Sequence, residues 1–182
     1  TCLLDFTSRS NHMKHQGTSG MRLNPLRGSH LPVLMKIVQQ TEGPILELGC
    51  GTYSTQYLHW ACYPIKRRLV TYESNPDYYE YIQQFARDFH EVRCIDNWNA
   101  VDLSEPWTVA FVDHDPGPRG LIVQQLVHAE YVVCHDTERR AARGHRYAEA
   151  FARFEYQWRY REARPNTTIL SNIHDVTRFT IP

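Results

Sequence analysis

Six residues able to bind cations or move protons fall just past apolar runs, where a sheet protein ends its strands: Glu73, Asp96, Asp113, His114, His135 and Asp136. A carboxylate can accept from a sugar hydroxyl, hold a divalent cation or take a proton, and a histidine titrates near neutral pH without special tuning. The first apolar run, residues 45–48, leads into Gly49-Cys50-Gly51. Neither glycine has a Cβ, so the chain can turn sharply there and approach a ligand with its backbone. Glu73 lies 22 residues beyond Gly51, where a doubly wound sheet places the carboxylate that accepts from ribose hydroxyls. Together these residues are the signature of a nucleoside-binding site.

The turn also discriminates among nucleosides. A pyrophosphate fingerprint needs a third glycine to admit the anion to the helix N-terminus, and Ser54 stands in that position. Glu47, before the turn, is expected to point its carboxylate at the ligand, which would repel phosphates and suit an ammonium and a sulfonium. Glu-x-Gly-x-Gly followed by an acidic end to the second strand resembles the class I S-adenosylmethionine-dependent methyltransferases, and the resemblance runs from about Leu31 to Ile181. It implies a three-layer α/β/α Rossmann-like methyltransferase fold, with a mostly parallel central sheet and a C-terminal antiparallel hairpin. It implies S-adenosyl-L-methionine as cofactor, with Gly49 and Gly51 along its methionine part and Glu73 on both ribose hydroxyls. Tyr53, Ser54 and Thr55 would complete the first turn, Ser74 the second, and Asp96, Asn97 and Trp98 would hold the adenine, with Asp113 closing the set.

The segment Asp113-His114-Asp115-Pro116-Gly117-Pro118-Arg119-Gly120 resembles the substrate-facing loop of small-molecule methyltransferases. Gly117 and Pro118 replace the second proline and the aromatic that amino-methylating nucleic-acid enzymes stack on a flipped base, which argues against a nucleic-acid acceptor. The expected catalytic residues are Asp113, His114 and Asp136, with Asp113 or His114 preferred over His135 as the base that frees an acceptor hydroxyl. Asp113 and Asp136 would face one another where catechol-type O-methyltransferases hold magnesium. Thr137 replaces that family's asparagine ligand, which counts against a divalent ion without removing the option. The expected reaction is methyl transfer to an oxygen or nitrogen of a small molecule. An aminopropyltransferase, a nucleotide-dependent reductase and a non-catalytic S-adenosylmethionine-binding module remain as alternatives. His12, His15 and His30 carry less information, though His30, just before the first helix, could close over the cofactor.

The elements that must position these residues alternate as a parallel sheet requires. Helices are expected after Pro32, over residues 54–62, from Ser74-Asn75-Pro76, over 119–128 and over 145–154. Strands are expected at 45–48, 69–73, 92–95, 108–113 and 131–135, then a hairpin of 154–161 and 167–171 and a short strand at 176–181. In the helix that starts from Ser74-Asn75-Pro76, Tyr78, Tyr81, Ile82, Phe85 and Phe89 are spaced for burial. The 182 residues fit one domain over 31–182, preceded by a polar arm or lid over 1–30. Twenty basic and 20 acidic residues balance, leaving no field to gather nucleic acid or anionic lipid. Arg139, Arg140 and Arg143 read as a solvated face. No apolar run approaches bilayer length and no signal layout opens the chain, so a soluble, cytoplasmic protein is expected. The five cysteines form no C-x-x-C pair or zinc-like cluster and are expected reduced.

Overall fold

The structure, a computed structural model, describes residues 25–181; most of the polar arm expected over 1–30 lies outside them, as do His12 and His15. The chain opens with a 3₁₀ turn at Pro25–Gly28, then helix α1 (Leu31–Gln39), strand β1 (Ile45–Leu48), α2 (Ser54–Cys62), β2 (Leu69–Glu73), α3 (Pro76–Ile82) and β3 (His90–Cys94). It continues with β4 (Val109–Val112), α4 (Gly120–Val123), β5 (Tyr131–Cys134), α5 (Arg139–Gly144), α6 (Tyr147–Phe151), β6 (Tyr156–Tyr160) and β7 (Thr167–Ser171).

One sheet runs β3-β2-β1-β4-β5-β7-β6. The first five strands in that order are parallel, and β7 pairs antiparallel with both β5 and β6. Because β1 pairs β2 on one side and β4 on the other, the crossover direction reverses beyond its carboxyl end, which opens a crevice for a ligand. β1, β2 and β4 are buried throughout, as strands covered on both faces must be. Leu46, Leu48, Ala110 and Val112 pack on one face with Trp98, Trp107, Tyr147 and Phe151, while Ile45, Val109 and Phe111 pack on the other with Val33, Leu34 and Leu58.

Several expected boundaries move for identifiable reasons. β3 starts at His90, two residues before the apolar run suggests, because the buried imidazole is satisfied: its Nδ1 is 3.1 Å from His59 Nδ1 and its Nε2 is 2.9 Å from Thr71 Oγ1. Asn75 caps α3 by accepting from the Asp77 N–H at 2.9 Å, yet the helix gives way at Ile82 to a 3₁₀ turn. Ile82 and Phe89 of the expected stripe are buried, while Tyr78 is exposed. The helix expected over 119–128 is a single turn. Of the one expected over 145–154 only Tyr147–Phe151 is helical, starting after Arg146 takes the left-handed φ of 57°, and a separate short helix, Arg139–Gly144, precedes it. Residues 176–181 form no strand: Asp175 caps a turn at Thr177, and Val176, Phe179 and Ile181 pack irregularly on the α1 side. Among the described residues no helix is long and apolar enough to cross a membrane.

Candidate active site

The glycine turn and the end of β2 are locked together. Glu73, 5% exposed, accepts the Cys50 N–H on Oε2 at 2.9 Å and the Ser74 and Asn75 N–H groups on Oε1, both at 2.7 Å. A carboxylate has about four acceptor positions, so one remains, on Oε2, where the expected grip on two ribose hydroxyls would need two. Gly49 is required by the chain itself. Its φ is +86°, and a Cβ there would lie 2.4 Å from the His114 Cα, because the β1 turn passes against the β4 loop. Gly51 differs: a Cβ would meet only Ser54 Oγ, at 3.6 Å, so the room beside it is open.

Glu47 departs from expectation. Instead of facing a ligand it is fully buried beneath the turn, with Thr55 Oγ1 3.0 Å from both carboxylate oxygens and Thr71 Oγ1 donating at 2.8 Å. Thr55 in turn accepts the Gly51 N–H at 3.0 Å. Burial raises the Glu47 pKa to about 7, against the opposing hydrogen bonds of Ser54, Thr71 and Thr55. Its alternation on β1 turns the side chain toward the α2 layer, where the hydroxyls of Ser54 and Thr55 await it. Tyr53 packs its ring against Gly28 ahead of α1.

Past β3, Asp96 and Asn97 are exposed, and Asn97 caps the turn that buries Trp98. The Trp98 Nε1–H donates to the Asp115 carbonyl at 3.3 Å, and Ser74 Oγ donates to the same carbonyl at 2.9 Å. His114 packs within this group. Its ring stacks on Trp98 at 4.2 Å and 25°, and burial, then the Arg119 charge, lower its pKa to about 3. Trp98, His114, Asn97 and Leu121 line a cavity of about 130 Å³. A wider hollow of about 370 Å³ lies among Arg143, Arg146 and Arg159, and no residue of the glycine turn lines it.

Asp113 and Asp136 do meet across the ends of β4 and β5, but through Arg119. This guanidinium, 2% exposed, is 3.0 Å from Asp113 Oδ1 and 2.9 Å from Asp136 Oδ2, and its Nε–H donates to the His114 carbonyl at 2.8 Å. A cation already stands where magnesium would. Thr137 is buried and accepts from Thr168 Oγ1 at 2.8 Å. These residues do not fit an oxygen-liganded magnesium ion. Burial works to raise the Asp113 pKa, but the His135 hydrogen bond and the charges of His135 and Arg119 outweigh it and hold the carboxyl below its usual range.

The Asp113 oxygen that meets Arg119 also meets a histidine. His135 Nδ1 is 3.1 Å from Asp113 Oδ1 and its Nε2 is 3.0 Å from Ser29 Oγ. Burial opposes protonation of His135, but the Asp113 hydrogen bond and charge win and raise its pKa. His30, next to Ser29, places its ring 4.8 Å from both His135 and Phe111. The sequence reading left out Arg119, which reads as a surface charge before a short helix, and undervalued His30 and His135. The signal for His135 was its polarity just past an apolar strand, and for His30 its place before the first helix.

No family model matches the chain, and no curated protein matches it in sequence. Solved structures match in fold. Cofactor-bound Rv0187 from MTB superposes with a TM-score of 0.59 at 18% identity, over 85% of this chain and 83% of that one. The O-methyltransferase from Bacillus cereus in complex with SAH gives 0.58 at 18% identity, over 81% and 80%. The N-terminal domain of human METTL16 in complex with SAH gives 0.56 at 10% identity, over 85% and 73%.

Proposed function

We propose that this chain, which has the fold of the class I S-adenosylmethionine-dependent methyltransferases, binds S-adenosyl-L-methionine and transfers its methyl group to an oxygen or nitrogen of a small molecule. The observation that carries the reading is the Glu73 carboxylate drawn against the Cys50 N–H, at the crevice where the sheet reverses direction. In this reading Gly51 leaves space for the methionine part, and the open acceptor position on Glu73 Oε2 takes a ribose hydroxyl. The stacked Trp98 and His114 rings, beside the exposed Asp96 and Asn97, form the adenine side. Bound there, the cofactor supplies an electrophilic methyl on a sulfonium.

In-line displacement makes positioning and desolvation the protein's main task. The groups that handle an acceptor are Asp113 and His135, with His30 beside them, and His114 is assigned to the cofactor. Arg119 fixes Asp113 and Asp136 at the strand ends, and so shapes the loop over residues 113–119. A small acceptor is favoured because that loop offers no exposed aromatic on which a base could stack.

Thermal-shift measurements test the reading. S-adenosylmethionine and S-adenosylhomocysteine should raise the melting temperature, as ligands of the folded state do. NAD(P) and decarboxylated S-adenosylmethionine should do little. A shift confined to NAD(P) sinks the proposal, and a preference for the decarboxylated compound redirects it to aminopropyl transfer.

A further inference from the structure

His30, Asp113 and His135 converge where the N-terminus of α1 meets the ends of β4 and β5. One donor atom from each lies within 4.8 Å of the others. Two imidazoles and one carboxylate on one side of a strand end are the ligand types of a first-row transition ion. We propose that these three residues bind a divalent transition ion of the zinc class, at a site that shares Asp113 with the Arg119-filled pair Asp113–Asp136 but differs from it in ligand chemistry.

His30 provides the second, independent observation. It is 2% exposed, and neither of its ring nitrogens has a hydrogen-bond partner, although the ring sits directly against His135. The buried His114 ring is also unpartnered but is stacked on Trp98, whereas His30 has two further donors beside it, and an ion is a recognised partner for such an unsatisfied group.

His135 brings the outer support that metal-binding histidines need. Its Nδ1, on the Asp113 side, can turn to an ion while Nε2 keeps Ser29 Oγ and fixes the ring. Donors about 2.0–2.2 Å from a tetrahedral ion are roughly 3.4 Å apart, so the cluster needs only a small tightening. The charge also favours it. Asp113 and Asp136 share the single cation Arg119, with Asp115 3.8 Å from the same guanidinium, so carboxylates outnumber cations beside the site. Three protein ligands leave a position for water or an acceptor oxygen.

The proposal stands apart from the methyl-transfer reading, and its test needs no turnover. The full chain, stripped with chelator, is titrated with Co²⁺ while its visible d–d absorption is followed, and bound metal is counted after dialysis. One equivalent should bind, excess Mg²⁺ should not compete, and Zn²⁺ should displace it. His30→Phe keeps a ring against Phe111 and leaves His12 and His15 in the chain. It should weaken Co²⁺ binding by more than about 100-fold, beyond the roughly 10–100-fold of an outer-shell loss. If His30→Phe does not fold, His30→Gln is measured in the same way. Less than one equivalent bound by the wild type, or a loss of about tenfold or less in the folded variant, overturns the proposal.

Discussion

The His114 imidazole lies 4.2 Å from the Trp98 indole and 25° from parallel with it, and this stack assigns the histidine to the cavity at the ends of β3 and β4. A ring held neutral by burial and by the neighbouring Arg119 makes a poor proton acceptor and a good aromatic wall. His114→Phe should therefore change the maximal rate by less than about tenfold, whereas His135→Gln should lower it by roughly 10²–10⁴-fold with S-adenosylhomocysteine still bound. Steady-state rates of the two variants decide between the histidines. A large loss in His114→Phe with a mild one in His135→Gln would restore His114 to the acceptor.

The two glycines of the turn should respond differently. Gly49→Ala forces a side chain into a positive φ and against the His114 backbone, and should cost about 2–5 kcal/mol of folding stability. Gly51→Ala meets only Ser54 Oγ at 3.6 Å and should fold with a near-normal melting temperature while binding cofactor more weakly. Denaturant melts alongside binding isotherms separate these outcomes. Equal loss of stability in both variants would show that Gly51 is a structural residue.

Glu47 should impose a pH dependence on stability. Its folded-state pKa of about 7 exceeds the ordinary 4.5, so the native state holds the proton longer than the unfolded chain does. Its contribution is fully present below pH 4.5 and is lost as pH rises through 7. Glu47→Gln keeps partners for Thr55 and Thr71 but removes the titration. The variant should gain on the wild type by up to about 3 kcal/mol between pH 4.5 and 8. Parallel stability curves across that range would contradict the assignment.

Arg119 is the keystone of the 113–119 loop. Arg119→Met leaves Asp113 and Asp136 facing one another without a cation and should destabilise the fold by about 3–5 kcal/mol. It should also admit magnesium. Millimolar Mg²⁺ is expected to raise the melting temperature of the variant and not that of the wild type, because only the variant lacks a resident positive charge between the carboxylates. A wild-type response of equal size would show that Arg119 does not exclude the ion.

The parallel core was legible because its strands are short apolar runs punctuated by turn residues: Ile45–Leu48, Leu69–Glu73 and Thr167–Ser171 are located as the sequence suggests. The Gly49-to-Glu73 pairing was equally visible, since both ends are fixed by chain geometry. Side-chain direction was not. Glu47 and His90 are buried because Thr71 lies between them, a contact made across three strands that no local pattern encodes. The same holds for Arg119, whose two carboxylate partners lie at the ends of different strands. Helix lengths near residues 119–128 and 145–154 were overestimated because apolar spacing continues through turns that the backbone breaks, as at Arg146.

The central claim is that the turn between β1 and α2, with Glu73, forms a nucleoside site for S-adenosylmethionine. Calorimetric titration with S-adenosylhomocysteine tests it most directly, using wild type and Glu73→Ala side by side. The account predicts one site per chain in the wild type. In the variant affinity should fall roughly 10–150-fold, the equivalent of about 1.5–3 kcal/mol for a lost charge-assisted hydrogen bond. No binding to the wild type, or equal affinity in a folded Glu73→Ala, would contradict it.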